Sequence, residues 1–391
     1  MGDLLAGAGD VVARVTTNPY DNSWADGWPF FRIASIFGTG FLPHRATTLG
    51  LPGLVSVVLL VVSSLGRRPA GMLLAGVLAA FLAPFHFFAF PATYLIVLLY
   101  VLTTRGWRSP KVVRDGVLFV APIVLALPFV APAILQQGAE GAFRIVQGWS
   151  EARIADGPGA VVFFYLTNLG IPFLLALVAV VKVRRIWAGP FLVAWLGALF
   201  ILPNVVVLSS VEFDMNKFFQ IMWIAVAILA ATVIVRWPRP AIAAVLALSA
   251  ISPFLIGVWH LRNQAVTMTL PQEAAGVWIE QNTPDRAVFV TDSFINSPVD
   301  IAGRLRLTTF GPYVANLGYN PDERGADVNA IYCNGPDEAA RLMDRYGARY
   351  VLSSGGIIDC GGLEPTDFSD SERFQTVYDR DGVEVWWLTR P

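Results

Sequence analysis

SSVEFDMNKFFQIMWIAVAILAATVIVRWPRP, residues 209–240, sets an unbroken apolar run between two charged ends of different character. Before the run stand Glu212, Asp214 and Lys217; after it stand Arg236 and Arg239. Residues 218–235 carry no charge, and such a run is close to the roughly 20 apolar residues an α-helix needs to cross a bilayer. The rest of the chain has the same grain. Of 391 residues 55% are hydrophobic and 15% charged, with a mean hydropathy of +0.57, which points to a membrane protein rather than a soluble one. The net charge of −1 hides a division: residues 1–262 carry 18 Lys and Arg against 10 Asp and Glu, and residues 263–391 carry 10 against 19. Neither half has the basic surface of a nucleic-acid binder.

Eight apolar stretches are candidate spans, at 51–65, 70–86, 90–104, 115–135, 161–181, 188–209, 218–235 and 241–261. The links GRRP (66–69), RGWRSPKVVR (105–114), KVRRIW (182–187) and RWPRP (236–240) hold eleven Lys and Arg, with Asp115 the one acid beside them. The alternating links, 84–91, 136–160 and 211–217, hold only Arg144, Arg153 and Lys217 against five acids. The excess of cations assigns the first set to the cytoplasm. Eight spans then put both residues 1–50 and residues 263–391 outside, in the plasma (inner) membrane of a multi-pass protein. The expected organisation is an extracytoplasmic or interfacial segment over 1–50, a helical membrane domain over 51–262 and an extracytoplasmic α/β domain over 263–391.

A chain that begins outside calls for a signal peptide or an earlier span, and MGDLLAGAGDVVARVTTNPYDNSWADG supplies neither. The expectation is therefore the C-terminal part of a longer protein, against the alternative that a short polar N-terminus crosses the membrane after synthesis. In PFFRIASIFGTGFL (29–42), Phe30, Phe31, Ile33, Ile36 and Phe37 follow Trp24 and Trp28 at helix-like spacing. That suits a helix lying in the outer interface, or equally one packed against neighbouring spans.

From residue 263 the hydrophobic period changes. LPQEAAGVWIEQN (270–282) and PDEAARLMDRYG (336–347) read as helices, AVFVT (287–291) and ARYVLSS (348–354) as strands, and FQTVYDRDGVEVWWL (374–388) as a β-hairpin turning at Asp381-Gly382. Alternating strands and helices closed by a hairpin make a compact α/β domain. The only cysteines, Cys333 and Cys360, fit a disulfide in an oxidising compartment or two buried thiols; with no histidine in this domain they do not make a zinc site.

Charge near the bilayer midplane is costly, and the spans are almost free of it. The polar candidates gather at the outer mouths: Glu212, Asp214, Asn216 and Lys217, then His44 and Arg45 before the first span, and His86 in the PFHFF corner. Such a site suits an amphiphile with a phosphate at the lipid–water boundary, where Lys217 and Arg45 pair with oxygens and Asp214 or Glu212 orients hydroxyls or acts as a base. The structural alternatives are an i,i+3 ion pair for Asp214–Lys217, a hydrogen-bonded corner residue for His86 and an interfacial anchor for Arg45. The chain has no Walker A loop, no GxGxxG after a strand, no HExxH and no GxSxG, so no cofactor is identifiable, and a divalent metal is left open.

FLPHRATTLGLPGLVSVVLLVV (41–62) resembles the "QR…lxGlP" start of a span in large bacterial and archaeal membrane proteins of the GT-C glycosyltransferase superfamily, of glycosyltransferase 39-like type. LAGVLAAFLAPFHFFAF (74–90) is similar to their "Gll…pfHffaf" corner, and EFDMNKFFQIMW (212–223) to their "wDNxKfxxyw" segment. WIEQNTPDRAVFVT, VDIAGRLRL, GYNPDERGADVNAIY and RYGARYVLSSG resemble the "WIrenTP…avfLt", "GR", "R..dv..iy" and "yg..Yvvv" blocks, in the same order over about residues 41–388. The resemblance implies a polyprenyl-phosphate-sugar donor, an outer active site and a glycan or protein acceptor. It makes His44 (in place of the usual Gln), Arg45 and Lys217 donor-binding, with Asn216, His86 and Arg304 of the "GR" block supporting. In that superfamily the catalytic Asp or Glu follows the first span, a region without a counterpart here; Asp26 or Asp21 is a substitute that nothing local favours.

The expected function is thus sugar transfer from a polyprenyl-phosphate carrier to an extracytoplasmic acceptor. The rival is a non-catalytic, membrane-anchored glycan-binding or assembly subunit. A transporter has one hint, Asn168, Gly170 and Pro172 in the fifth span, which also reads as a tolerated kink.

Overall fold

The computed structural model describes residues 45–389 except 105, 136–143, 150, 151, 153, 187, 210, 211, 263–267, 293, 294, 317, 318, 357, 363 and 370. The chain is predominantly helical and divides into two compact units, one chiefly before Gln264 and one from Ala265 onward.

The first unit is a helical bundle: α1 (Arg45–Ser64), α2 (Pro69–Phe85), α3 (Ala89–Thr103), α4 (Pro110–Val120), α5 (Leu127–Leu135), α6 (Pro158–Val180), α7 (Gly189–Val205), α8 (Asn216–Ile234) and α9 (Arg239–Arg262). Among the described residues three stretches are long and apolar enough to cross a membrane: Ala46–Ser64, Pro158–Val180, and Glu212–Ile234, which is α8 with the turn before it. Pro69–Phe85, Ala89–Thr103, Gly189–Val205 and Arg239–Ile251 are shorter apolar helices. Of the eight spans expected from hydropathy, three are therefore matched by a helix of full length among the described residues. The clearest departure is 115–135, which breaks into α4, a 3-10 segment Ala121–Leu125 and α5. Pro122 and Pro128 each remove a backbone N–H donor there, and hydropathy averages do not register that loss.

Helices pack closely where side chains are absent. A Cβ on Gly50 would lie 2.6 Å from the His86 ring, one on Gly53 would lie 2.8 Å from Leu82, and one on Gly76 would collide with the Phe119 carbonyl. Phe164, Phe218, Phe219, Leu199 and Met222 fill the core at 0% exposure. In α6 the helix breaks at Gly170 (φ 57°, ψ −158°), a backbone state open in practice only to glycine. Asn168 Nδ2 donates to the Phe164 carbonyl at 2.9 Å one turn earlier.

Two ends of the bundle are distinguishable. At the basic end, Asp115 Oδ2 accepts from Gly66 N–H at 2.7 Å and Asp115 Oδ1 pairs with Arg114 at 2.8 Å, tying the 66–69 link to the middle of α4. Tyr100 and Phe191 meet at 5.1 Å, joining the end of α3 to the start of α7. The other end carries mixed charge and is described below.

The second unit carries a five-stranded sheet of order β4-β3-β5-β7-β6, with β3 (Val288–Thr291), β4 (Leu305–Arg306), β5 (Tyr350–Ser353), β6 (Phe374–Arg380) and β7 (Val383–Leu388). β3 runs parallel to β4 and β5, while β7 is antiparallel to β5 and β6. β1 (Arg144–Ile145) and β2 (Val206–Val207) form a separate pair in the bundle unit. One face of the large sheet packs Phe289, Tyr378 and Val385 with Ile279 of α10 (Leu270–Asn282). The other packs Val351 and Trp386 with Ile331 of α13 (Asp322–Cys333) and Met343 of α14 (Pro336–Tyr346). Short helices α11 (Pro298–Ile301) and α12 (Gly311–Asn316) complete the unit. Thr269 and Gln272 close a capping box on α10, Gly347 ends α14 in the left-handed region at φ 66°, and Asp381 (φ 51°) and Gly382 (φ 78°) turn the hairpin.

Candidate functional site

The mixed-charge end of the bundle is assembled from segments far apart in sequence. Pro84 precedes the corner, α2 stops at Phe85, and His86 is 6% exposed. The His86 Nδ1 accepts from Ala89 N–H at 3.0 Å, so a neutral ring carries its proton on Nε2, which faces Thr47 Oγ1 at 3.4 Å. His86 is therefore a packed corner histidine that joins α1 to the start of α3.

Residues Glu212–Met215 form a 3-10 turn that leads directly into α8. Asp214 Oδ1 accepts from Lys217 Nζ at 2.8 Å, and the same ammonium lies 4.9 Å from the Phe88 ring centroid, two residues beyond His86. Carboxylate and aromatic face together shelter the lysine, whose side chain is only 16% exposed. Phe88 also meets Phe218 edge-on at 5.5 Å. Asn216 is buried and its Oδ1 accepts from Gln220 Nε2 at 3.4 Å.

A third segment closes the end. β1 pairs with β2 in the register Arg144↔Val207, and Arg144 forms an ion pair with Glu212 at 3.1 Å. Trp149, fully buried, donates its backbone N–H to Asn204 Oδ1 at 3.1 Å and its indole Nε1–H to the Glu212 carbonyl at 3.2 Å. Asn204 Oδ1 also accepts from the Tyr165 hydroxyl at 2.6 Å. Thus the three links with few cations meet at one end of the bundle, and two cations are each held by a carboxylate of a single 3-10 turn.

The structure brings together Glu212, Asp214, Asn216, Lys217 and His86. α1 begins at Arg45, two residues before Thr47, so the Arg45 backbone starts at this end. His44, Asp21, Asp26 and the interfacial segment of residues 24–42 lie outside the described residues. Phe88, Arg144 and Trp149 were not legible as members of the site, because only tertiary pairing joins them to the turn; an unexplained tryptophan in a polar link was the one available signal.

Arg304 belongs to the α/β unit and is a fastener there. Its guanidinium donates to the carbonyls of Glu280, Thr283 and Ala302 at 2.7, 2.9 and 2.9 Å, satisfying groups at the end of α10 and at the cap of α11 and so joining the two helix ends. Cys333 and Cys360 are joined by a disulfide with 5.4 Å between Cα atoms. Among the described residues no group of three or more His, Cys, Asp or Glu side chains could hold a metal ion. No family model matches the chain, and no curated protein matches its sequence.

Proposed function

We propose that the protein takes part in glycosyl transfer at a membrane, moving a sugar from a polyprenyl-phosphate carrier to an extracytoplasmic acceptor. The observation that carries this reading is Lys217: a cation kept at the end of an apolar bundle, sheltered by Phe88 and held in reserve by Asp214. Two further proposals go with it. The apolar helices of the bundle cross the membrane about eight times, some of them short or broken, and the mixed-charge end and the α/β unit face the outside. The resemblance of the 41–62, 74–90 and 212–223 segments to GT-C proteins supports the same direction.

In this reading the carrier phosphate draws Lys217 from Asp214 and Arg144 from Glu212 by offering its two unesterified oxygens as charge-assisted acceptors to both cations at once. Arg45 and His44 would complete the phosphate site. The acceptor oxygen forms its bond to the anomeric carbon as the carbon–oxygen bond to phosphate breaks, and the acceptor proton passes to a carboxylate. Asp214 and Glu212 could take that proton only once released by their cations. Their engagement in ion pairs favours the second reading, a non-catalytic glycan-binding or assembly subunit.

Binding of a polyprenyl phosphate to the purified chain tests the proposal. Lys217→Ala is expected to weaken saturable binding by about tenfold or more, the loss of one charge-assisted contact, with thermal stability little changed. Equal binding by the variant overturns the assignment, leaves the cluster structural and moves the second reading ahead.

A further inference from the structure

We propose that the basic end of the bundle is a binding site for anionic diacyl phospholipids, centred on the seam between α2 and α4. It does not depend on what the mixed-charge end does.

Arg67 and Arg68 stand at the start of α2, and Arg108, Lys111 and Arg114 stand at the start of α4; all five are exposed. Among the described residues of the bundle the one acid at this end is Asp115, and its side chain is 0% exposed. It accepts from Gly66 N–H and is paired with the half-exposed Arg114. Arg114 is thus neutralised by Asp115, and among the described residues of the bundle no exposed carboxylate stands at this end to neutralise the other four cations. The backbone that carries Arg67 and Arg68 is also fixed in place. The backbone N–H groups of Arg67 and Arg68 donate to the Ser64 carbonyl at 2.9 and 2.8 Å, and the Gly66–Asp115 bond pins this link to α4.

What separates an anionic lipid from a soluble polyanion lies just beyond the cations. On α2, Leu73 and Leu74 are 43% and 50% exposed; on α4, Val113 and Val117 are 57% and 63% exposed. Both helices start at the basic end and pack together where Gly76 meets Phe119, so the apolar rows rise side by side from the two groups of cations. Trp107, 49% exposed, stands at the start of α4 with the Arg108 guanidinium 4.9 Å from its ring centroid, an arrangement suited to the headgroup level. α4 itself is short and two-faced: Val112, Asp115 and Phe119 point inward, while Lys111, Val113, Arg114 and Val117 point outward. A phosphate-bearing headgroup meets the cations and two acyl chains meet the leucine and valine rows. A nucleic acid or an acidic protein matches only the first.

The full chain in neutral detergent, offered phosphatidylglycerol and phosphatidylcholine in equal amounts, tests this by the ratio of lipids retained in native mass spectrometry. The expected result is preferential retention of phosphatidylglycerol. The preference should fall by at least about tenfold in the Arg67→Gln/Arg68→Gln/Lys111→Gln variant, at several-fold per cation. In wild-type protein, which removes any question of misfolding, the preference should collapse between about 0.05 and 0.5 M salt as the charges are screened. Equal retention of the two lipids, a preference unchanged in the variant, or a preference indifferent to salt would each overturn the proposal. So would a soluble polyanion such as heparin displacing phosphatidylglycerol completely, which would assign the surface to a polyanionic partner.

Discussion

Asp292 and Lys217 are both nearly buried charges, and the company each keeps separates a fastener from a binding group. Asp292, at the end of β3 and 4% exposed, accepts from Ser354 N–H at 2.6 Å, Gly356 N–H at 2.8 Å and Ser354 Oγ–H at 3.0 Å. Those donors lie just beyond β5, in a turn with Gly355 at φ 84° and with no room for a side chain at Gly356, whose Cβ would meet the Asp292 backbone. The carboxylate thus fills the nest of amides at the carboxyl ends of two parallel strands and fixes their spacing. Lys217 has instead a single carboxylate and an aromatic face, partners that a phosphate can replace without leaving backbone groups unpaired. Asp292→Ala should therefore cost on the order of 2 kcal/mol, because the buried Ser354 amide loses its acceptor and the part-buried Gly356 amide loses a weaker one. Hydrogen exchange in the full chain reads this as faster exchange of the β3 and β5 amides; exchange confined to 354–356 would mean that Asp292 holds only the turn.

At the scale of elements, glycine placement in α2 and α4 makes a paired prediction. An added Cβ at Gly76 meets the Phe119 backbone, whereas one at Gly116 has nothing within 4 Å. Gly76→Ala should destabilise the bundle by about 1–3 kcal/mol through forced separation of the helices, while Gly116→Ala should stabilise it by up to about 1 kcal/mol through helix propensity alone. Opposite shifts in unfolding temperature are expected, and shifts of one sign would refute the packing of α2 on α4. The same pair explains what was legible in the sequence. The hairpin at Asp381-Gly382 and the Asp214–Lys217 pair depend on residues within a few positions of one another, and both could be read locally. The 115–135 stretch could not be read as α4 and α5, since hydropathy adds composition and ignores the donors lost at Pro122 and Pro128. Nor could β4, two residues long, or α11 and α12, which are too short to show a period. Phe88, Arg144 and Trp149 reach the site only through the fold.

At the scale of the whole molecule the matter is whether the two ends of the bundle face opposite sides of a membrane. α6 alone separates the link containing Asp156 from the link containing Arg185, and at 23 residues it is long enough to cross. Its break at Gly170 makes the case a real test. Two half-helices, each too short to span, could instead turn back and leave both links on one side, whereas a break that merely kinks a crossing helix leaves the links opposed. The division of cations between the links argues for crossing, because it would have no physical cause if both faced the same compartment. Single cysteines at the exposed positions 156 and 185 decide it, as Asp156→Cys and Arg185→Cys, since the native Cys333 and Cys360 are joined and silent to thiol reagents. A membrane-impermeant maleimide should label position 156 in intact cells and position 185 only after permeabilisation. Labelling of both in intact cells would make α6 re-entrant and remove the basis for two opposed faces; labelling of 185 alone would invert the bundle and turn the Lys217 end to the cytoplasm.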